Sequence, residues 1–417
     1  MKRNTVIVIL ILVVFFVISY LTNILGALNP KVSGSYRLSE TMAGFLPFAF
    51  FIAYGVMSIP AGFLVERWGE KRMMIMAFGL AFSGALLFAL SSQFNVFVIS
   101  LFTIGTGMAA LQVVINPLLR VAGGEEHYTF NSVLAQLIFG LASFISPQMY
   151  SYFVSNIDRG NTQDPIINLL AGLVPVKMSW VSVYWAFAVI CLLMIVVIAV
   201  VKFPKVELKE DEKVGSRSSF AELLKNRFVI LYFIGMFAYV GTEQGISYWM
   251  SKFLSNYHGF DPDTIGADVV SYFWGLMTIG GVLGLLLFKL FDTRLVLRWF
   301  TIAAIFCIII GLFGSSQLAL WAFPVSGFFL SVMYPSVVSL GLNSVLKHHG
   351  SFAGILMTGI AGGAVVQILI GFISDLASLK IGMMFLFITM GYILSMSYWA
   401  RPLVANATIK SFKDFFK

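Results

Sequence analysis

The sequence predicts an all-α membrane protein whose twelve transmembrane helices form two pseudo-symmetric bundles of six. Composition is the first reason, since 59% of the 417 residues are hydrophobic, only 11% are charged, and the mean hydropathy is +0.92. About a quarter of the residues in a typical soluble domain are charged. A chain this apolar needs lipid as its main solvent. The other two reasons are the number of long apolar runs and the placement of the basic residues.

Twelve apolar runs are long enough to cross about 30 Å of hydrocarbon, a thickness that takes about 20 helical residues. The first run begins after Lys2 and Arg3, as in a signal peptide, but it continues past Tyr20 without a convincing cleavage site and is predicted to be the first span. The predicted spans are 6–28, 42–65, 73–92, 94–121, 130–154, 181–203, 227–256, 266–290, 296–314, 318–346, 350–376 and 380–401.

Lysine and arginine concentrate in alternate connections between the predicted spans. With the N-terminus inside, 21 of the 27 basic residues fall on the cytoplasmic side and six on the other side. Positive charge marks the cytoplasmic side of a membrane protein, so the bias predicts twelve spans with both termini in the cytoplasm. The six on the outer side are Lys31, Arg37, Arg159, Lys177, Lys252 and Lys380.

A single long charged stretch divides the spans six and six. We therefore predict an N-terminal bundle at 1–203, a cytoplasmic linker at 204–226 and a C-terminal bundle at 227–417. An amphipathic helix is expected on the membrane surface near 220–224, and a short helix in the outer loop 155–180.

The two halves carry a weak repeat. Asn116-Pro117 in the fourth span matches Tyr334-Pro335 in the tenth, and the polar middle of the first span near Asn23 matches that of the seventh near Glu243. Repeats with interrupted helices at matching positions are typical of transporters that bind substrate between their halves. The sequence therefore predicts such a site, with helix breaks in equivalent spans.

Glu243 lies near the middle of the seventh span, far from the charges that bound it. A charged residue at that depth costs about 2.5–3.5 kcal/mol on insertion scales, so it usually serves a substrate, an ion or a proton. Burial penalises the charged form, which allows a carboxyl to take up and release a proton. Alternatively, it stays ionised beside Na⁺ with nearby oxygens, or it pairs with a polar group of another helix. The oxygens considered for Na⁺ are those of Thr22, Asn23, Thr242 and Gln244.

Amide side chains recur on the predicted spans and offer the donors and acceptors that sugar hydroxyls need. Aromatic side chains can cover the flat face of a pyranose ring, with Tyr248 and Trp274 as further candidates beside those predicted below. The alternative is that each amide joins two helices and each aromatic packs. The predicted substrate-binding residues are Asn23, Gln112, Asn116, Gln136, Glu243, Gln244, Trp249, Tyr334, Asn343 and Gln367.

The loop between the second and third spans reads Gly62-Phe-Leu-Val-Glu-Arg-Trp-Gly-Glu-Lys-Arg72. It resembles the signature loop of the major facilitator superfamily, Gly-x-Leu-(Ala)-Asp-Arg-x-Gly-Arg-Lys, with Glu66 in place of the usual Asp. The resemblance implies the major facilitator fold and a charge network that latches a cytoplasmic gate. The gating residues it implies are Gly62, Glu66, Arg67, Gly69, Lys71 and Arg72.

Within that superfamily the chain resembles the fucose–proton symporter family, which includes bacterial sugar porters and sodium-coupled glucose relatives. The segments that carry the resemblance are Ile52-Ala-Tyr-Gly-Val-Met-Ser-Ile-Pro-Ala-Gly62, Gln112-Val-Val-Ile-Asn-Pro-Leu-Leu119 with Leu134-Ala-Gln136, Tyr239-Val-Gly241, and Tyr334-Pro-Ser-Val-Val-Ser-Leu-Gly-Leu342 with Ile370-Gly-Phe-Ile-Ser-Asp375. They lie in both halves, so the resemblance implies sugar transport by the whole chain.

Two departures from that family concern its acids. Gln112 stands where the family has a glutamate, and Gly26, with Asn23 one turn away, stands where it has an aspartate. Glu243 occupies a position that is neutral and polar in the symporter. The carboxylate has in effect moved from the N-terminal to the C-terminal half, so Glu243 is the predicted ion-coupling residue.

We therefore predict cation-driven sugar symport by alternating access in a bacterial inner membrane, with H⁺ or Na⁺ as the co-transported ion and no other cofactor. No phosphate-binding loop or nucleophile–base pair indicates an enzyme. Expected partners are a small-molecule sugar and membrane lipid, not nucleic acid, and the chain is expected to be a monomer. Open alternatives are an uncoupled facilitator, transport of another polar solute, drug efflux, which would need an amide-poor cavity, and a transporter-like sensor that signals through the linker.

Overall fold

The computed structural model describes residues 4–124, 127–161, 163–203, 217–345 and 347–403. Within these ranges, twelve helical spans are long and apolar enough to cross a membrane, which confirms the predicted all-α fold class. In chain order, spans 1 to 12 are Thr5–Tyr36, Glu40–Trp68, Glu70–Leu90, Phe94–Gly123, Phe130–Asp158, Ser179–Val200, Arg227–His258, Pro262–Leu290, Thr293–Phe313, Ser316–Leu342, Gly350–Leu376 and Leu379–Trp399.

Polar side chains just before the first helical residue explain where several spans begin. The hydroxyl of Ser39 accepts a hydrogen bond from the backbone N–H of Met42 at the start of span 2. The carboxylate of Asp292 accepts one from the backbone N–H of Arg294 at the start of span 9. A side-chain oxygen at this position satisfies an N–H that the first helical turn leaves unpaired.

An even number of spans places both ends of the chain on one face of the bundle, here called the terminal face. The opposite face, here called the distal face, carries the connections from span 1 to 2, 3 to 4, 5 to 6, 7 to 8, 9 to 10 and 11 to 12. The basic-residue bias predicts that the terminal face is cytoplasmic, and that orientation remains a prediction.

The two halves repeat the same packing. Spans 2 and 4, 3 and 4, 1 and 5, and 3 and 6 pack together, and so do their counterparts 8 and 10, 9 and 10, 7 and 11, and 9 and 12. Gly105 of span 4 meets the carbonyl of Phe50, just as Gly327 of span 10 meets the carbonyl of Phe273. These glycines occupy equivalent places in the two halves and let two backbones approach where a side chain would not fit.

In the described residues, three pairs of spans make most of the contact between the halves, and span 1 also touches the start of span 8. Span 2 packs on span 11, span 5 packs on span 8, and span 1 packs on span 7. The first two pairs are equivalent, since each joins the second span of one half to the fifth span of the other. By contrast, spans 4 and 10 pack mainly against spans of their own half.

The prediction that equivalent spans are interrupted was wrong. Span 1 breaks at Asn23 and Ile24, whereas its counterpart, span 7, is continuous through Glu243. Span 10 breaks after Leu330, whereas span 4 runs without a break through Pro117. A proline removes one N–H donor, and a packed membrane helix can tolerate that loss without ending.

Two short helices lie outside the spans. Arg217–Lys225 precedes span 7, and Pro165–Leu173 lies on the distal face between spans 5 and 6. Hydrogen bonds from the Tyr152 hydroxyl and from the first N–H groups of Pro165–Leu173 hold the pKa of Asp164 below its usual value. Both helices fall where helices were expected, but the predicted linker residues 204–216 lie outside the described ranges.

Candidate functional site

The site is organised around the crossing of spans 1 and 7. A side chain at Gly26 would strike the backbone carbonyl of Ser247, so the two helices touch there through their backbones. The crossing is held on its distal side by Asn29, whose amide donates to the carbonyl of Tyr248 at 3.0 Å. Asn23 lies three residues before Gly26, and Glu243 lies four residues before Ser247. Both therefore lie about one helical turn to the terminal side of the crossing.

Glu243 is half-buried, and its neighbours are hydroxyl-bearing aromatic rings. The Tyr239 hydroxyl approaches its carboxyl group from one turn earlier in span 7, and Tyr334 of span 10 lies beside both. The two tyrosine rings are 5.9 Å apart between centroids. None of the ion pairs between described residues includes Glu243. Its carboxyl group is thus not neutralised by a neighbouring base.

Asn23 joins span 1 to span 5 through a side-chain hydrogen bond. Its amide nitrogen donates to the Ser143 hydroxyl at 2.8 Å, and the Ser19 and Ser143 hydroxyls lie 2.6 Å apart. The preceding residue, Thr22, donates to the carbonyl of Ile18. Ser19 and Ser143 were not predicted, since single serines on apolar helices give no distinctive signal in the sequence.

Three predicted amides are open on the terminal side of the site. Gln112 is half-buried on span 4, and Asn116, one turn later, is exposed. Gln136 of span 5 is also exposed and lies four residues before Gly140, which meets Thr278 of span 8. Its face therefore points to the other half. Amides on an apolar bundle avoid lipid, so we expect these groups to face the space between the halves, and their contact with substrate stays a prediction.

Other predicted side chains make contacts inside the protein. The Trp249 indole donates to the Gln367 side-chain oxygen at 3.0 Å, and both residues are fully buried. Gln244 packs against Gly363 of span 11, next to Phe51 of span 2. The Trp249–Gln367 bond joins spans 7 and 11 within the C-terminal half, and contact of these side chains with substrate stays a prediction.

Asn343 lies apart from this group. It ends the last helical segment of span 10 at the terminal face, where its backbone carbonyl accepts a hydrogen bond from the N–H of Leu403 at 2.8 Å. Tyr334 lies nine residues earlier, beside Glu243. The structure therefore brings Tyr334 into the site, whereas Asn343 lies more than two helical turns from Tyr334 along the same span.

The aromatic candidates Tyr248 and Trp274 are also buried. The Tyr248 hydroxyl donates to the carbonyl of Ala43 at 2.6 Å, and the Trp274 ring packs edge-on against Phe273. Neither presents a flat open face in this conformation. A role in covering a sugar ring remains a prediction for both.

Three of the four side chains proposed for a sodium site, those of Thr22, Asn23 and Thr242, make hydrogen bonds within their own half. The Thr242 hydroxyl donates to the carbonyl of Ala238 and lies 2.7 Å from the hydroxyl of Thr389. The Thr22 and Asn23 side chains are bound within the N-terminal half, as described above. Tyr239 supplies a phenolic hydroxyl to Glu243, and a sodium site formed by these oxygens stays a prediction.

The predicted gating loop lies on the terminal face. Gly69 joins spans 2 and 3 with a φ of +79°, a conformation that favours glycine. The Lys71 ammonium donates to the backbone carbonyls of Ala199 and Val201 at 2.7 and 2.8 Å, which caps the end of span 6. Gly62 is buried, while Glu66, Arg67 and Arg72 are exposed. A charge network from this loop to the other half stays a prediction.

Comparisons with known proteins place these features in a family. The family model of the Major Facilitator Superfamily matches residues 10–367. A glucose/galactose transporter of Brucella abortus is 28% identical over 388 residues, which cover 91% of this chain and 90% of the relative. The L-fucose-proton symporter of Escherichia coli is 28% identical over 383 residues, which cover 87% and 85%.

Solved structures share the fold. FucP in an outward conformation is 25% identical with a TM-score of 0.67, covering 94% of this chain and 98% of that structure. A bacterial homologue of the lysosomal transporter Spinster, inward-facing and unoccupied, is 13% identical with a TM-score of 0.77, covering 94% and 96%. Twelve spans in two matching halves, the signature loop and the family match together identify the chain as an integral membrane transporter of the Major Facilitator Superfamily and not an enzyme.

Proposed function

We propose that this protein carries a hexose-like sugar across the bacterial cytoplasmic membrane by alternating access, in symport with a proton that binds at Glu243. The observation that carries the proposal is the half-buried Glu243 carboxyl, which has no basic partner among the described residues and lies beside the crossing of the two halves. An unpaired acid at this depth is costly to keep charged, so its protonation can drive a conformational change.

The choice of a sugar rests on the open amides and on the relatives. Gln112, Asn116 and Gln136 are not fully buried, and their amides offer the donors and acceptors that vicinal hydroxyl groups need. The named relatives act on glucose, galactose or L-fucose according to their descriptions. An amide-lined site argues against drug efflux, which would favour an apolar and aromatic surface.

The choice of a proton rests on the groups around the acid. Na⁺ prefers several oxygen ligands, and the Thr242 hydroxyl already bonds to the Ala238 carbonyl and lies 2.7 Å from the Thr389 hydroxyl. A proton needs one site and a hydrogen-bonding neighbour, which Tyr239 offers. Glu243 is then the coupling residue, and no further cofactor takes part.

We also propose an orientation in the membrane, a monomeric state and a gating role for the signature loop. The terminal face is proposed to be cytoplasmic because of the basic residues on that side. A monomer is proposed because one chain supplies groups from both halves to the site. The signature loop on the terminal face is proposed to gate the cytoplasmic side through Glu66, Arg67, Lys71 and Arg72.

Uptake of labelled hexoses into proteoliposomes tests the proposal. A pH gradient and a Na⁺ gradient are imposed separately, with wild type and with Glu243→Gln. We expect wild type to accumulate one of the sugars above equilibrium only under the pH gradient. Glu243→Gln is expected to lose accumulation but keep sugar exchange, since the amide retains the shape of the acid and cannot titrate.

Glu222→Gln is the matched control, because Glu222 is an exposed acid on the terminal face outside the spans. It should accumulate sugar like wild type. Accumulation under the Na⁺ gradient would replace the proton by sodium, and equilibration under both gradients would make the protein an uncoupled facilitator. Transport of none of the hexoses would overturn the sugar assignment and favour another solute or a sensor.

A further inference from the structure

Among the described residues, two ion pairs join the halves at the distal face. The Lys252 ammonium of span 7 lies 2.6 Å from the Glu40 carboxylate at the first residue of span 2. The Lys31 ammonium of span 1 lies 2.7 Å from the Asp263 carboxylate in the first turn of span 8. Each pair therefore has one partner in each half. Neither pair has been used in the sugar or proton site.

The two pairs are related by the internal repeat. Lys31 and Lys252 lie near the distal ends of the equivalent spans 1 and 7, and Glu40 and Asp263 lie in the first turns of the equivalent spans 2 and 8. In each pair a lysine from the first span of one half reaches the acid that opens the second span of the other half. The pseudo-symmetry thus produces a matched pair of cross-links on either side of the crossing of spans 1 and 7.

Their surroundings make these pairs stronger than ordinary surface contacts. The side chains of Lys252 and Glu40 are 10% and 21% exposed, and those of Lys31 and Asp263 are 24% and 18% exposed. Fully exposed ion pairs contribute little because water and salt screen them. Asp263 also accepts a hydrogen bond from the Tyr150 hydroxyl at 2.6 Å, which fixes its position against span 5.

A further carboxylate strengthens one side. The two oxygens of Asp375, at the distal end of span 11, accept hydrogen bonds from the backbone N–H groups of Glu40 and Thr41 at 2.7 and 2.9 Å. These N–H groups belong to the first turn of span 2 and have no partner within that helix. An acid from one half thus caps a helix of the other half, which is possible only while the distal face is closed.

We propose that Lys31–Asp263 and Lys252–Glu40 form a paired latch that holds the distal face shut and must open in each transport cycle. This inference rests on the alternating access of the proposed function, but on neither the sugar nor the proton. When the distal face opens, Lys252 separates from Glu40 and Lys31 from Asp263, while Lys31 keeps its ion pair with Asp158 of its own half at 2.8 Å. The latch therefore sets the balance between the two access states, and its residues are positioning residues rather than substrate ligands.

The distance between the halves at the distal face tests the latch without substrate. Spin labels are attached at Gln93→Cys and Asn256→Cys, which are exposed distal positions in the N- and C-terminal halves, after the buried Cys191 and Cys307 are changed to alanine. The distance between the two labels is then measured in lipid nanodiscs by pulsed electron–electron double resonance. Wild type is expected to show one short distance, and Glu40→Gln and Asp263→Asn a second, longer one.

Each neutral substitution removes one charge-assisted bond and is expected to raise the ratio of open to closed molecules about tenfold. The double variant is expected to raise that ratio further. Asp164→Asn is the matched control. Asp164 also lies on the distal face and accepts backbone N–H bonds, but only within its own half. It should leave the distance distribution unchanged.

The charge swap Lys252→Glu with Glu40→Lys tests pairing directly. Lys252→Glu alone should open the distal face, and the swap should restore the short distance. Unchanged distances in both neutral variants would overturn the latch. A swap that behaves like the single reversal would overturn the assignment of Glu40 as the partner of Lys252. Because no sugar or gradient is used, these results are separate from the outcome of the uptake assay.

Discussion

Spans 1 and 7 are counterparts in the two halves, yet they treat their central polar residue differently. Asn23 lies at a break in span 1, and its amide is bound to Ser143 of span 5. Glu243 lies in an unbroken helix, half-buried, with tyrosines as its neighbours. The repeat thus preserves the helix packing but not the chemistry. One member of the pair supports the structure, and the other remains available for an ion.

The largest expected effect comes from moving the carboxylate between the two spans. Glu243→Gln alone should reduce the ratio of internal to external sugar to one under a pH gradient. Combining it with Asn23→Asp returns an acid to span 1, but that acid would face Ser143 rather than the open side of the site. We expect the double variant to stay uncoupled in proteoliposome uptake. Restored accumulation would show that the two positions are equivalent.

A smaller but clear effect is expected at the crossing of the two spans. Gly26→Ala would place a methyl group against the backbone carbonyl of Ser247, which cannot move as a side chain can. The cost should be about 3 kcal/mol, near the upper end for overpacking. Thermal unfolding in detergent measures it. Gly34→Ala is the matched control, since nothing lies within 4 Å of a methyl group there. Equal stabilities would contradict the tight crossing.

The structural role of Asn23 predicts a loss of stability with little change in coupling. Asn23→Leu removes the donor to Ser143 and should cost about 2 kcal/mol. Asn116→Leu is the comparison, because that amide is exposed and is predicted to bind substrate. It should keep the unfolding temperature and weaken sugar binding, measured by titration. A reversal of these two results would exchange the roles assigned to the amides.

The smallest expected effect concerns the buried hydrogen bond between Trp249 of span 7 and Gln367 of span 11. Trp249→Phe loses the hydrogen bond from the indole to Gln367, and the coupling energy of that bond should be about 1 kcal/mol. A double-mutant cycle with Gln367→Leu measures the coupling between the two residues. Additive losses of stability would show that the bond contributes nothing. A large loss of sugar affinity instead would return Trp249 to the substrate site.

Hydropathy alone located the spans because each must present about 20 apolar residues to lipid. Glu243 could also be singled out from the sequence, since an acid in such a run is rare. The fate of each amide could not. Asn23 and Gln367 bind protein groups while Asn116 is exposed, and the difference depends on whether a neighbouring helix places a serine or an indole within reach.

The sequence by itself determined the membrane class, the twelve spans and the acid at position 243, because these follow from the cost of exposing polar groups to lipid. Tertiary structure decided which helices break and which polar groups hydrogen-bond to another helix. It also decided that Lys31 and Lys252 meet acids of the opposite half. Such contacts depend on how two bundles dock. Docking depends on side-chain fit between residues that lie far apart in the sequence, which local patterns in the chain do not encode.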